Sequence, residues 1–187
     1  ADACLYMKYD AHGKICIAIA SFVDDCLFGG TEEAIAEFRR IMKKSEENPT
    51  GFAIVDSGVP TDFLALEIEY DELKGKLKIH HSKYLTKAAE RYGITENTKW
   101  EAVPMQYDKR LEPATDADER CDAKLYRSIV GTMVFTTVCV RLDAAQAVRE
   151  LSKFMYDPST AHMCAAMKCL VYLIQRKPGG ITYEYGD

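Results

Sequence analysis

Long apolar runs are missing from this chain. No segment reaches the roughly 18 uninterrupted apolar residues of a membrane-spanning helix, and no basic stretch leads into an apolar segment near residue 1 in the manner of a secretory signal. The expectation is an intracellular protein, cytoplasmic or nuclear, with no membrane partner. Cysteine pairs spaced C-x-x-C are missing too. The cysteines at 4, 16, 26, 121, 139, 164 and 169 are odd in number and several sit in apolar periodic runs, which predicts reduced core thiols rather than a disulfide frame. The four histidines form no ligand pattern with them, so structural zinc is not expected. A glycine-rich phosphate loop, an internal repeat and a local nucleophilic triad are also absent.

What is present is a globular composition. Of 187 residues, 28% are charged and 48% apolar, enough for one substantial core or two small lobes. The formal charge is -5, which argues against a strong free-standing nucleic-acid binder. Any polynucleotide would need a local basic track, because phosphate contacts dominate such affinity.

The chain is organised around Ile15 to Gly30. Eight mostly apolar residues, Ile15 to Phe22, run into adjacent carboxylates at Asp24 and Asp25, and a second apolar run, Cys26 to Phe28, ends at two glycines. That pattern reads as strand, acidic turn, strand. A regular strand would send neighbouring side chains to opposite faces. A turn changes those directions and can bring one or both carboxylates toward a common metal. The plainer alternative is a solvated hairpin turn, since Asp is common in turns.

Other elements follow from periodicity. Cys4 to Tyr9 reads as a strand entering a turn at Ala11-His-Gly-Lys14. Thr31 can cap a helix over 32–45, acidic at its start and basic at its end with Arg39, Arg40, Lys43 and Lys44. Phe52 to Val55 is a short strand candidate. Residues 63–71 and 76–80 alternate across the turn at Glu72-Leu-Lys-Gly75 and predict an antiparallel hairpin, with Glu67 and Glu69 on its wet face. Ser82 can cap a helix over 83–92, and His80 and His81 are poorly spaced as a metal pair. Residues 94–121 lack a sustained period and mark the lobe boundary, as a linker or wrapped loop. Helices are predicted over 123–138, over 144–156 with Asp143 as cap, and over 160–175, with a last edge strand at Ile181, Tyr183 and Tyr185.

Phe22-Val-Asp-Asp25 resembles the Tyr-or-Phe-X-Asp-Asp box of reverse transcriptases, and the surrounding segments resemble the Ty1/copia-type retrotransposon reverse transcriptase in order. Asp2-Ala-Cys-Leu-Tyr6 is similar to its Asp-Pro-Cys-Leu-Tyr segment. Phe63-Leu-Ala-Leu-Glu-Ile-Glu69 is similar to Phe-Leu-Gly-Ile-Glu-Ile, with Ala65 at the glycine position. Lys83 through Gly93 resembles the helix that follows, and Val103-Pro-Met105 the Thr-Pro-Met motif. Tyr126-Arg-Ser-Ile-Val-Gly131 and Cys139-Val-Arg-Leu-Asp143 resemble Tyr-Arg-Ser-Leu-Val-Gly and Cys-Thr-Arg-Pro-Asp, with Leu142 replacing proline. His162 through Tyr172 resembles the late His, Ala, Ala and Leu-X-Tyr-Leu helix.

The resemblance implies an α+β fold: a partial polymerase palm with antiparallel sheet over 1–93, a linker or wrapped loop over 94–121, and a mainly helical thumb- or connection-like region over 122–187. It implies RNA- or DNA-templated addition of deoxynucleotides, with Asp24 and Asp25 as catalytic metal ligands and Phe22 supporting the primer end. The implied cofactor is Mg²⁺ or Mn²⁺, and the implied partners are nucleic acid and dNTP. The family's third carboxylate and its fingers lie upstream of the segments matched here. The expectation is therefore weak or absent metal binding and no activity by the isolated chain, unless a partner chain or the missing upstream segment completes the site. The alternative is a domesticated protein-binding or assembly module without catalysis, motivated by the net acidity and the departures at Ala65 and Leu142.

Overall fold

The computed structural model describes residues 2–106 and 110–184. The architecture is α+β, with antiparallel sheets followed by a helical region, which is the layout expected of a palm followed by a thumb. The chain divides into two compact units, Ala1–Pro60 and Thr61–Asp187.

The first unit is a three-stranded antiparallel sheet with one helix. Strands β1 (Leu5–Tyr9), β2 (Ile15–Phe22) and β3 (Asp25–Gly30) lie in that order, with a register shift between Lys8 and Tyr9. Asp10 shapes the first turn by accepting from the backbone N–H groups of His12 and Lys14, both at 2.8 Å. Helix α1 (Glu32–Met42) starts at Thr31, whose hydroxyl accepts from Ala34 N–H, as its sequence predicts. Its Phe38 meets Phe28 edge to face at 5.1 Å, and Lys8 pairs with Glu37. Among the described residues Ile17 is the buried apolar side chain of this unit, and all of β1 is exposed. The core here is thin.

Helix α1 ends three residues earlier than its pattern suggests. Lys43 turns extended and pairs in parallel with Phe52, whose N–H donates to Met42 and whose carbonyl accepts from Lys44. Asn48 Nδ2 donates to the Ile41 carbonyl, satisfying an acceptor left open at the helix end. Tertiary pairing overrides local propensity, and Phe52 to Val55 contributes that bridge rather than a strand.

The second unit opens with a four-stranded antiparallel sheet, β4 (Asp62–Phe63), β5 (Leu66–Asp71), β6 (Lys76–His80) and β7 (Gly180–Glu184), in that order. The predicted edge strand is present as far as Glu184, and Tyr185 lies outside the described residues. Helix α2 (Ser82–Tyr92) stops at Gly93, which takes the left-handed conformation at φ 67° that lets its N–H reach back to the last turn. Helices α3 (Ala123–Cys139), α4 (Ala145–Ser152) and α5 (Thr160–Gln175) enclose the main core. Leu85, Tyr126, Ile129, Met133, Leu151 and Leu170 are fully buried there. The Tyr126 hydroxyl donates to Leu151 O at 2.8 Å, so the ring enters the core without an orphaned polar group. Helix α4 is shorter than predicted, and of the seven cysteines only Cys169 is buried; Cys4, Cys26 and Cys164 are exposed, and all are free thiols.

The segments on either side of residues 107–109 lie against the helices. Gln175 and Arg176 side chains donate to carbonyls between Thr98 and Ala102. Arg176 lies between the rings of Trp100 and Tyr172, at 4.4 and 4.3 Å from their centroids. Arg120 donates twice to Asp157, at 2.7 and 2.9 Å. His162 accepts from Ser159 N–H through Nδ1 and donates from Nε2 to the Glu112 carbonyl at 2.9 Å, while its ring stacks on Phe154.

Candidate functional site

The predicted acidic turn is a two-residue hairpin loop. Phe22 pairs with Asp25, and Val23 and Asp24 form the turn between β2 and β3. Val23 has φ 52°, a left-handed value rare for a β-branched residue, whereas Asp24 keeps negative φ. Positive φ at the first central position alone is the pattern of the primed type II′ turn, whose twist matches the flanking strands.

This turn decides where the site residues point. Phe22 and Asp25, paired across the hairpin, share one face of the sheet, and Asp24 stands at the apex. Phe22 is 53% exposed and Val23 85%, and both aspartates are exposed. Among the described residues neither carboxylate enters an ion pair. They stand at an open hairpin tip, so the cost of burying a charge does not arise.

Two adjacent exposed carboxylates suit Mg²⁺, which is usually anchored by one or two carboxylates while waters and substrate phosphates fill its octahedron. Asp24 and Asp25 fit that anchoring role. Among the described residues no group of three or more His, Cys, Asp and Glu side chains could hold a metal ion. A fully protein-built cage is therefore not formed by the side chains described.

The basic end of α1 lies beside an open depression of about 650 Å³, bordered by Arg39, Arg40 and Lys43 but also by Glu46 and Glu47. Arg39 is paired with Asp56. The mixed signs leave no continuous positive track there.

Glu67, Ser82 and Asp143 differ from their sequence expectation. Glu67 is no wet-face residue: it is 6% exposed, and both its oxygens accept from the Lys83 N–H, at 3.0 and 2.9 Å. A carboxylate from β5 thus meets the positive end of α2. Ser82 does not cap that helix from outside but is its first residue, and its hydroxyl donates to Lys177 O at 3.0 Å. His80 stands 3.1 Å from both Glu67 and Glu69, and His81 is fully buried against Phe135 and Tyr84. Asp143 likewise caps no helix; its carboxylate accepts from Arg141 and from the Tyr172 hydroxyl. The sequence signal for this last cluster is the Arg-x-Asp spacing.

No family profile and no solved structure matches the chain. Curated proteins do. The chain is 29% identical over 178 residues to the retrovirus-related Pol polyprotein from transposon TNT 1-94 of Nicotiana tabacum, covering 92% of this chain and 13% of that protein. It is 28% identical over 184 residues to the putative transposon Ty5-1 protein of Saccharomyces cerevisiae, covering 98% of this chain and 56% of that protein. The chain thus spans about half of one relative and a small part of the other. At the level of the family, it is related to the Pol polyproteins of Ty1/copia retrotransposons.

Proposed function

We propose that this chain is the C-terminal part of a reverse-transcriptase polymerase domain: the end of the palm over residues 1–93, a connecting segment over 94–121, and a thumb- or connection-like region over 122–187. The observation that carries this reading is the hairpin tip, where Asp24 and Asp25 are adjacent, exposed and, among the described residues, free of ion pairs at the end of an antiparallel sheet. The ordered motifs and the Pol relatives support it.

In the complete enzyme the primer 3′-hydroxyl attacks the α-phosphorus of a dNTP, the new P–O bond replaces the bond to pyrophosphate, and the hydroxyl proton is lost. Bound divalent ions would supply charge neutralisation and activation of that hydroxyl. Asp24 serves as the stronger ligand and Asp25 as its partner. Phe22, half exposed on the Asp25 face, packs beneath the primer end. Two carboxylates offset less of the cost of dehydrating Mg²⁺ than a larger acidic set, so affinity in the isolated chain is weak and templated synthesis requires the upstream half of the domain.

The test is primer extension by the chain alone and after mixing with an upstream palm-and-fingers segment. Extension restored by the mixture and abolished by Asp24→Asn/Asp25→Asn supports the proposal. Extension by the chain alone, lost in that double variant, refutes the requirement for the upstream half. No extension in the mixture, with no Mn²⁺ binding at the hairpin, favours the non-catalytic assembly module.

A further inference from the structure

The single tryptophan of the chain is tightly held and yet left uncovered. Gln175 donates to the Thr98 and Lys99 carbonyls and accepts from the Glu101 N–H at 2.9 Å, and Arg176 donates to the Glu101 and Ala102 carbonyls at 2.7 and 3.1 Å. The backbone on both sides of Trp100 is therefore fixed to the end of α5. Arg176 also covers one face of the indole, 4.4 Å from its centroid, and is backed in turn by Tyr172 at 4.3 Å. Trp100 nevertheless remains 58% exposed, and cover on one side leaves the opposite indole face to solvent. A tryptophan used for packing alone gains free energy by burial. This one is ordered in advance and presents a flat surface outward, so a ligand stacking on it orders little else.

The tethered segments are positive. Residues 98–102 and 174–178 carry Lys99, Arg176 and Lys177 against the single acid Glu101, in a chain whose net charge is -5. Among the described residues none of these three cations enters an ion pair. We infer that Trp100 is a stacking platform for a base of single-stranded nucleic acid, with the neighbouring cations attracting the phosphates on either side of that base.

Ring and charge together select this occupant. A free indole face accepts any flat ring, and the unpaired cations favour a ring that carries negative charge beside it. An extended single strand offers both, because its bases are unstacked and each is flanked by phosphates, whereas a duplex keeps its base faces inside the stack. An uncharged aromatic peptide would use the ring and leave the cations without a role. The acidic hairpin belongs to the Ala1–Pro60 unit and Trp100 to Thr61–Asp187. The inference is argued from this ring and its charges, so it does not rest on the catalytic reading.

The test is titration of the full chain with a single-stranded oligothymidylate of about 12 nucleotides, read by the fluorescence of Trp100, which no second tryptophan obscures. The expected result is saturable quenching with a dissociation constant on the order of 10 μM, and three phosphate contacts would give a slope of about -2 for log affinity against log salt. Trp100→Ala should weaken binding of a fluorescein-labelled strand, read by anisotropy, by at least about tenfold, and Trp100→Phe should recover part of that loss by restoring a ring face. Lys177→Glu leaves the indole and its tethers in place, so it decides the matter even if Trp100→Ala fails to fold; it should weaken binding by about fivefold or more and make the salt slope shallower. The inference is overturned if the strand causes no quenching up to about 100 μM, or if Trp100→Ala, shown to be folded by circular dichroism, binds as tightly as wild type. It is equally overturned if an uncharged aromatic peptide quenches Trp100 as well as the strand does and without salt dependence, which would assign the face to a protein. Quenching and primer extension can each fail while the other succeeds, so this inference and the catalytic reading fall separately.

Discussion

Arg141 grips Asp143 through two parallel hydrogen bonds, at 2.9 and 2.7 Å, while its remaining nitrogen donates to the Leu173 and Arg176 carbonyls at the end of α5. The Arg141 side chain is 4% exposed, so a charge that is costly to bury is held by a carboxylate and by the negative end of a helix. This explains the Cys139-Val-Arg-Leu-Asp143 segment as architecture. Arg141→Ala should destabilise the chain by about 2–4 kcal/mol, because it orphans the α5 carbonyls and unpairs Asp143. Arg141→Lys should recover less than half of that loss, since one ammonium cannot reproduce a planar fork. Urea unfolding at neutral pH measures both.

The same pair carries a pH dependence. Hydrogen bonds from Arg141 hold the Asp143 carboxyl below its ordinary range, with the Tyr172 hydroxyl adding to the effect and burial opposing it. A depressed carboxyl pKa contributes stability above the unfolded value, and that contribution is lost as pH falls through the folded one. His81 acts at milder acidity. Burial lowers its pKa, with Glu67 opposing and His80 reinforcing the shift, and both ring nitrogens lack a partner among the described residues. The folded state therefore prefers the neutral ring. Stability is full above the unfolded value near 6.5 and declines as pH drops below it. His81→Phe keeps the stacking on Phe135 and should flatten stability against pH between about 5 and 7, read from urea midpoints. An unchanged slope would show that His81 finds a partner on protonation.

Two hairpin turns place ordinary residues at left-handed backbone angles. In the loop between β4 and β5, Leu64 has φ 51° and Ala65 φ 67°, the double positive φ of a type I′ turn. Position 65 is where the resembled motif has glycine, and the turn gives the physical reason. Ala65→Gly should stabilise the chain by about 1 kcal/mol, the cost of a left-handed Cβ less the added freedom of the unfolded chain. Thermal unfolding checks the sign.

The hairpins and three main helices were legible because their signals are local: alternation in β5 and β6, the Thr31 cap, and the apolar period of α5. The hairpin bearing Asp24 and Asp25 was legible for the same reason. What the sequence hides is contact at a distance. Nothing in the alternation of Glu67 and Glu69 distinguishes a wet carboxylate from one that meets the amide at the start of α2, and nothing local to Lys43 announces that Phe52 will end α1. Glu67→Gln, which keeps the shape but removes the charge, should cost about 1–2 kcal/mol, whereas Glu69→Gln, on an exposed side chain, should cost less than about 0.5 kcal/mol. Comparable losses at both positions would place Glu67 back on an ordinary wet face.

The acid pair itself is expected to be nearly silent in stability. Asp24 and Asp25 are exposed and free of ion pairs among the described residues, and adjacent like charges repel, so Asp24→Asn/Asp25→Asn should leave the urea midpoint within the change expected of a surface substitution, about 0.5 kcal/mol. Its effect should appear instead with a paramagnetic divalent ion. Mn²⁺ titrated into the wild-type chain should broaden backbone NMR signals of residues 22–26 before those of other acidic surface loops, and the double variant should lose that selectivity. The proposed metal role carries this expectation, because two carboxylates adjacent in one turn offer a single ion more charge than a lone surface acid does. A loss of folding stability of several kcal/mol in the double variant would show that the turn carboxylates hold the hairpin together, and an exposed ligand pair would no longer describe them.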